Sequence, residues 1–174
     1  RVVGDATFNS IRLGIVRAPV ANDYGRSLLI HDGITLRSES GMLLMGRDTA
    51  SANGDITPLT TWIYGGRVDL DGVADNHEAI IHNAGGSSLY MRTPIDATQG
   101  FTKSGVDSVV LEAANNFGGT VNIAQGNLYV RDSNALRGAD EIRIEGDGVM
   151  VLNYGVAITN VNLVAGERPF GGPL

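Results

Sequence analysis

The chain contains no cysteine. Disulfides, cysteine-ligated zinc and thiol catalysis are thereby excluded, while export to an oxidising compartment stays compatible with the composition. Lysine is almost as scarce: Lys103 is the single lysine among thirteen basic residues, which face nineteen acidic ones for a net charge of −6. No basic stretch with interleaved aromatics occurs, so the sequence offers no nucleic-acid surface. Aromatic residues make up only 6% of the chain, less than the core of an enzyme of this size ordinarily carries. No window approaches the roughly 18 consecutive apolar residues of a membrane-spanning helix. Nor does an apolar period of 3.6 residues persist beyond two turns, so helices are expected to be rare and short. The sequence opens on Arg1 with no initiator Met and no basic-then-apolar leader, which reads as a segment cut from something longer, with any signal peptide removed or upstream. A Gly-x-Ser-x-Gly elbow, a Walker loop and a dinucleotide fingerprint are all missing.

What the chain has in abundance is glycine, 24 of 174 residues, placed between short apolar runs. The runs include Ser27 to Ile30, Ile34 to Leu36, Met42 to Met45, Thr60 to Tyr64, Val68 with Leu70, Ala79 to Ile81 and Leu89 to Met91. Each is too short for a helix, and they recur at the close spacing expected of an all-β chain. Met42 to Met45 is continuous and reads as a strand covered on both faces. Turn residues separate the runs; Asp32-Gly33 supplies the positive φ of a tight bend, which fits a corner between parallel strands and also an antiparallel hairpin. Arg47 to Asp55 is polar and predicts a protruding loop. From Gly100 to Leu152 the rhythm is most regular, with Val109 to Leu111, Val121 with Ile123, Leu128 with Val130, Ile142 with Ile144, and Val149 to Leu152.

A three-sided repeat of about 20 to 25 residues accounts for this cadence, and 174 residues would then supply roughly seven to eight coils. The fold expected is all-β, a right-handed parallel β-helix (β-solenoid), with residues 1–164 as one body and residues 165–174, rich in Gly and Pro, as a tail or linker. The thirteen asparagines fit that reading. Asn115, Asn122, Asn127, Asn134, Asn153, Asn160 and Asn162 are placed at or near corners, where asparagine tolerates the left-handed conformation and can bond the neighbouring coil. A β-sandwich adhesin module is the competing architecture, and antiparallel pairing around Asp32-Gly33 would mark it.

The order Gly100-x-Thr102-Lys103-x-Gly105, then Leu111-x-x-x-Asn115, then Thr120-Val121-Asn122-Ile123-x-x-Gly126-x-Leu128-x-Val130 and Ala135-Leu136, resembles the passenger-associated β-strand repeat of bacterial autotransporters and large envelope proteins. The specific match covers Gly100 to Leu136, and Val106-Asp107-Ser108 departs from the glycine-rich link of that family. The resemblance implies a piece of a parallel β-helix from an extracellular or outer-envelope surface protein. It places Lys103 in a turn between coils.

Candidate chemistry is sparse. Asp69, Asp71 and Asp75 surround Gly72 and are the calcium candidate, since closely spaced carboxylates can wrap a hard cation. The acidic ligand that should close an EF-hand loop does not return at Ile80 or Ile81. His31, His77 and His82 do not form a spacing suited to one metal. Arg131, Arg143 and Glu145 lie on or beside plausible strands, with Asp132, Asp140 and Asp147 in turns. A carbohydrate-active site would require such charges to converge in a groove beside an aromatic such as Trp62, Tyr64 or Tyr90. The function expected is structural and non-enzymatic: a rigid stalk, filament or adhesive passenger that associates with itself or with neighbouring domains, or with surface glycans or cell-surface molecules. The alternative is a carbohydrate-binding or carbohydrate-active β-helix. No catalytic or cofactor-binding residue is assigned.

Overall fold

The structure is a computed structural model and describes residues 1–14, 26–46, 60–72, 78–84 and 86–166. The predicted loop Arg47 to Asp55, together with Asp75, His77 and most of the terminal Gly/Pro tail, lies outside the described residues. Among those described there is no helix, and the chain is all-β with parallel strands in curled sheets. In chain order the strands are β1 (Ala6–Phe8), β2 (Ile11–Gly14), β3 (Arg26–Leu29), β4 (Thr35–Ser38), β5 (Met42–Gly46) and β6 (Thr61–Tyr64). Next come β7 (Arg67–Asp69), β8 (Ala79–Ala84), β9 (Leu89–Arg92), β10 (Ile95–Ala97), β11 (Phe101–Ser104) and β12 (Val109–Leu111). The last four are β13 (Asn116–Phe117), β14 (Thr120–Val130), β15 (Glu141–Leu152) and β16 (Asn162–Ala165).

From β1 to β13, strands three apart in sequence pair with one another. One sheet has the order β1-β4-β7-β10-β13, so every third strand joins it. The other runs β2-β5-β8-β11-β14-β12-β9-β6-β3, with β15 on β14 and β16 on β15. It curls because β14 is long enough to pair β11 with its first residues and β12 with its last. Every described pairing is parallel, so Asp32-Gly33 does not form a hairpin. Gly33, at φ 77°, instead turns the chain from the ladder of β3 to that of β4. The sandwich alternative has no antiparallel pair to rest on.

Period-2 alternation sets which side chains enter the core. Leu43 of β5 stacks on Ile81 of β8, Ile81 on Lys103 of β11, Lys103 on Ile123 of β14 and Ile123 on Ile144 of β15. Those partners lie 38, 22, 20 and 21 residues apart, so the spacing settles near twenty once the long early connections are passed. Matching aliphatic rows come from Leu36, Val68 and Ile95 on one side and from Ile63, Met91, Leu111 and Val130 on another. Fully burying each such side chain contributes about 2 kcal/mol. Phe101 and Phe117 stack inside the core at 4.9 Å and 6° between rings.

Two sequence expectations change. The run Met42 to Met45 is not covered on both faces: Leu43 and Met45 are buried, whereas Met42 and Leu44 are partly exposed. The runs read as separate strands around Gly126 and Gly146 merge into the continuous β14 and β15. Gly126 at φ 68° and Gly146 at φ 52° absorb the bend within the strand, where the register shifts between Ile123 and Gln125.

Asparagine does link neighbouring rungs. The buried Asn115 accepts from the Ile95 N–H at 3.0 Å and donates to the Ala135 carbonyl at 2.8 Å, so one amide ties the strand before it to the turn after it. Asn83, fully buried, donates to the carbonyls of Ser87 and Ser108, both at 2.8 Å. Asn160 takes the left-handed conformation at φ 59°. Asn122, Asn127 and Asn162, by contrast, lie within strands.

Candidate functional site

Two of the three calcium candidates, Asp69 and Asp71, have other hydrogen-bond partners. Asp69 accepts from the Arg37 guanidinium through Oδ2, at 2.7 Å from Nε, and from the Asp71 backbone N–H through Oδ1 at 3.0 Å. Asp71 accepts from the Thr98 backbone N–H and hydroxyl. Asp75 lies outside the described residues, among which no group of three or more His, Asp or Glu side chains could hold a metal. What the sequence could not display is that Asp69 sits in register beside Asp96 of the next rung. Like charges directly opposite are unfavourable, and each is matched here by an arginine: Arg37 on Asp69 at 2.6 Å, Arg67 on Asp96 at 2.5 Å. Asp69 of that run thus belongs to an ion-pair row running across the strands.

Lys103 is in β11 rather than in a turn, and its side chain has 0% exposure. It occupies the place in the core row that Ile81 and Ile123 fill on either side. Its Nζ donates to the carbonyls of Gly105 and Gln125, both at 2.5 Å, joining the corners of two successive rungs. A Cβ on Gly126 would fall 2.6 Å from that Nζ, so glycine there makes room for the ammonium. Loss of hydration pushes the Lys103 pKa down to about 8, with the Asp107 carboxylate opposing the shift. A buried amine can serve as a base or nucleophile, but this one gives its hydrogen bonds to backbone carbonyls.

Further charges line two outward faces. On the first, Glu78, Gln99, Gly100, Thr120, Asn122 and Arg143 line an open polar cleft of about 290 Å³. Arg143 lies between Glu141 at 2.7 Å and Glu145 at 3.8 Å, and the Glu78 carboxylate accepts from the Thr102 hydroxyl. His82 is outward on the same sheet and pairs through Nδ1 with Ser104 Oγ at 3.0 Å. Of the charges expected in turns, Asp147 is instead inside β15.

The second face carries the aromatics. Ser27, Trp62, Tyr90, Val110, Tyr129 and Val151 are successive partners across β3, β6, β9, β12, β14 and β15, all on the side away from the core. Trp62 and Tyr90 rings lie 6.0 Å apart at 41°. Val110 points outward yet is only 2% exposed, flanked in register by Tyr90 and Tyr129. Beside this stripe, Glu112 binds Arg92 through Oε2 at 2.5 Å and Arg131 through Oε1 at 2.7 Å. The Arg131 guanidinium also sits over the Tyr90 ring, 5.3 Å from its centroid. The hydrogen bond to Glu112 holds the Arg131 pKa above its already high value, ahead of the smaller contribution of Tyr90.

The sequence named Trp62, Tyr64, Tyr90 and Arg131, and the structure brings all four to one outward face, with Tyr64 in register beside Arg92. It missed Arg92, Glu112 and Tyr129. The signal for Glu112 was its separation from Arg92 and Arg131, 20 and 19 residues, which is one rung in each direction. No family model, curated protein or solved structure matches this chain.

Proposed function

We propose that this chain is a segment of a right-handed β-solenoid whose role is architectural: a rigid stalk, filament or adhesive passenger of an exported surface protein. The observation that carries this reading is the set of parallel ladders, in which strands three apart in sequence pair in register from β1 to β13 and the stack continues through β14, β15 and β16. A stack of this kind is stiff and gains about 4.8 Å per rung. The ladder from β2 through β5, β8, β11, β14 and β15 to β16 has seven rungs, in keeping with a body of seven coils. The similarity of Gly100 to Leu136 to the autotransporter repeat supplies the extracellular setting.

Open edges support association with more chain or with another subunit. Among the described residues, β16 is paired on one side only, and Leu152, Leu163 and Val164 are exposed nearby. Unpaired parallel edges with apolar side chains are templates for further strands. Negative-stain electron microscopy and sedimentation across a hundredfold concentration range test this directly. Rods or concentration-dependent assemblies are expected; a monodisperse monomer at the highest concentration would argue against self-assembly.

The carbohydrate-active alternative finds less support. Glu112 lies beside the aromatic stripe, and both its oxygens are taken by guanidinium groups. Proton transfer needs an acid or base free to exchange its proton, so the same geometry is better suited to binding than to hydrolysis.

A further inference from the structure

We infer that the outward stripe of Trp62, Tyr90 and Tyr129, with the Arg92–Glu112–Arg131 cluster along its side, is a binding site for an acidic, uronate-bearing oligosaccharide. Four features converge on that ligand. Trp62 and Tyr90 occupy adjacent rungs and are partly exposed, so together they form an amphipathic platform that runs along the stack. Pyranose rings present flat C–H faces to such platforms while their hydroxyls reach sideways to polar groups. Tyr129 continues the stripe two rungs beyond Tyr90, with Val110 closed beneath. The platform therefore matches an extended chain of several sugars better than a single compact ligand.

The charge selects an acidic sugar. Two guanidiniums against one carboxylate leave the cluster one positive charge, in a chain whose overall balance is −6. Arg92 uses only Nε and Arg131 only Nη1 in bonding Glu112, and their side chains are 53% and 38% exposed. Each keeps free N–H donors in the fork geometry that suits a carboxylate. Glu112 holds the two forks in place. With the Arg131 guanidinium over the Tyr90 ring, a sugar resting on the exposed part of the Trp62–Tyr90 pair turns its carboxylate toward that guanidinium. This inference stands on the register of β6, β9, β12 and β14 and does not depend on the stalk reading.

Trp62 is the single tryptophan, so its fluorescence reports this face alone. The whole chain is titrated with hexagalacturonate and, in parallel, with neutral maltohexaose, following Trp62 emission and calorimetric heat. Hexagalacturonate is expected to give a saturable emission shift and to bind at least tenfold more tightly than maltohexaose. Tyr90→Ala should weaken the acidic ligand tenfold or more, and Arg131→Gln should erase the acidic preference. Should Arg131→Gln not fold, as judged by circular dichroism, Arg92→Gln removes the other exposed fork and reads the same preference. No saturable change with hexagalacturonate, equal affinity for the two sugars, or an acidic preference unchanged by loss of a guanidinium would overturn the inference.

Discussion

Gly105→Ala is expected to destabilise the protein by about 3 kcal/mol or more, from left-handed strain of about 1 to 2 kcal/mol and overpacking of similar size. Gly105 has φ 79°, and an added Cβ would lie 2.6 Å from the Asn83 carbonyl carbon and 2.9 Å from the Asn83 nitrogen, in collision with the carbonyl oxygen as well. These are backbone atoms of the preceding rung and cannot rotate aside. Moving them would pull the Asn83 carbonyl from the Asp107 N–H it accepts at 3.1 Å, and would displace the Gly105 carbonyl from Lys103. Gly33→Ala is the control. Its φ is 77°, but an added Cβ has no atom within 4 Å, so only the dihedral strain remains. Thermal unfolding should therefore show a drop of about 10 °C for Gly105→Ala, at roughly 2 to 4 °C per kcal/mol for a chain of this size, and a drop about half as large for Gly33→Ala. Equal drops would mean that the close approach between rungs contributes nothing.

Stability should also rise with pH between about 8 and 10.5. In the folded chain the Lys103 pKa is near 8, against 10.5 for the free side chain. Through that window the unfolded chain still holds a proton that the folded chain has released, so raising the pH favours the folded state. Below pH 8 both states are protonated and the cost of burying the ammonium is constant. The full gain is about 3 kcal/mol, at 1.36 kcal/mol for each pKa unit. Lys103→Met should abolish the rise whatever its effect on baseline stability, which separates this group from the tyrosines that ionise near pH 10. Urea midpoints of both proteins at pH 7, 8, 9 and 9.5 measure the difference; parallel curves would contradict a buried, charged Lys103.

Lys103 also shows where the sequence could be read and where it could not. The repeat resemblance put it in a turn between coils, and local chemistry also argues for keeping a lysine outside a core. Only alignment with Ile81 and Ile123, one rung away on either side, assigns it to the core. The carboxylates of Asp69 and Asp71 looked available for the same reason: Arg37 and Thr98, which occupy them, lie 32 and 27 residues away. All-β character, short strands and glycine corners follow from local propensity and were legible. Partners across rungs depend on register, which a window of ten residues does not contain. The continuous β14 and β15 belong with these, because glycine inside a strand and glycine ending one look alike until the partner strand is known.

Spin-label distances along one outward row test the proposed stack most directly, and the lack of native cysteine lets two introduced cysteines be labelled without interference. Met42, Ile80, Thr102, Asn122, Arg143 and Val164 are successive partners from β5 to β16. Labels are placed at Val164 and, in turn, at Thr102, Ile80 and Met42. Distances should climb in even steps of about 4.8 Å, reaching roughly 24 Å between the backbones of Met42 and Val164. Distances that fail to increase in that order, or that bring Met42 nearer to Val164 than Thr102 is, would contradict the stacked arrangement.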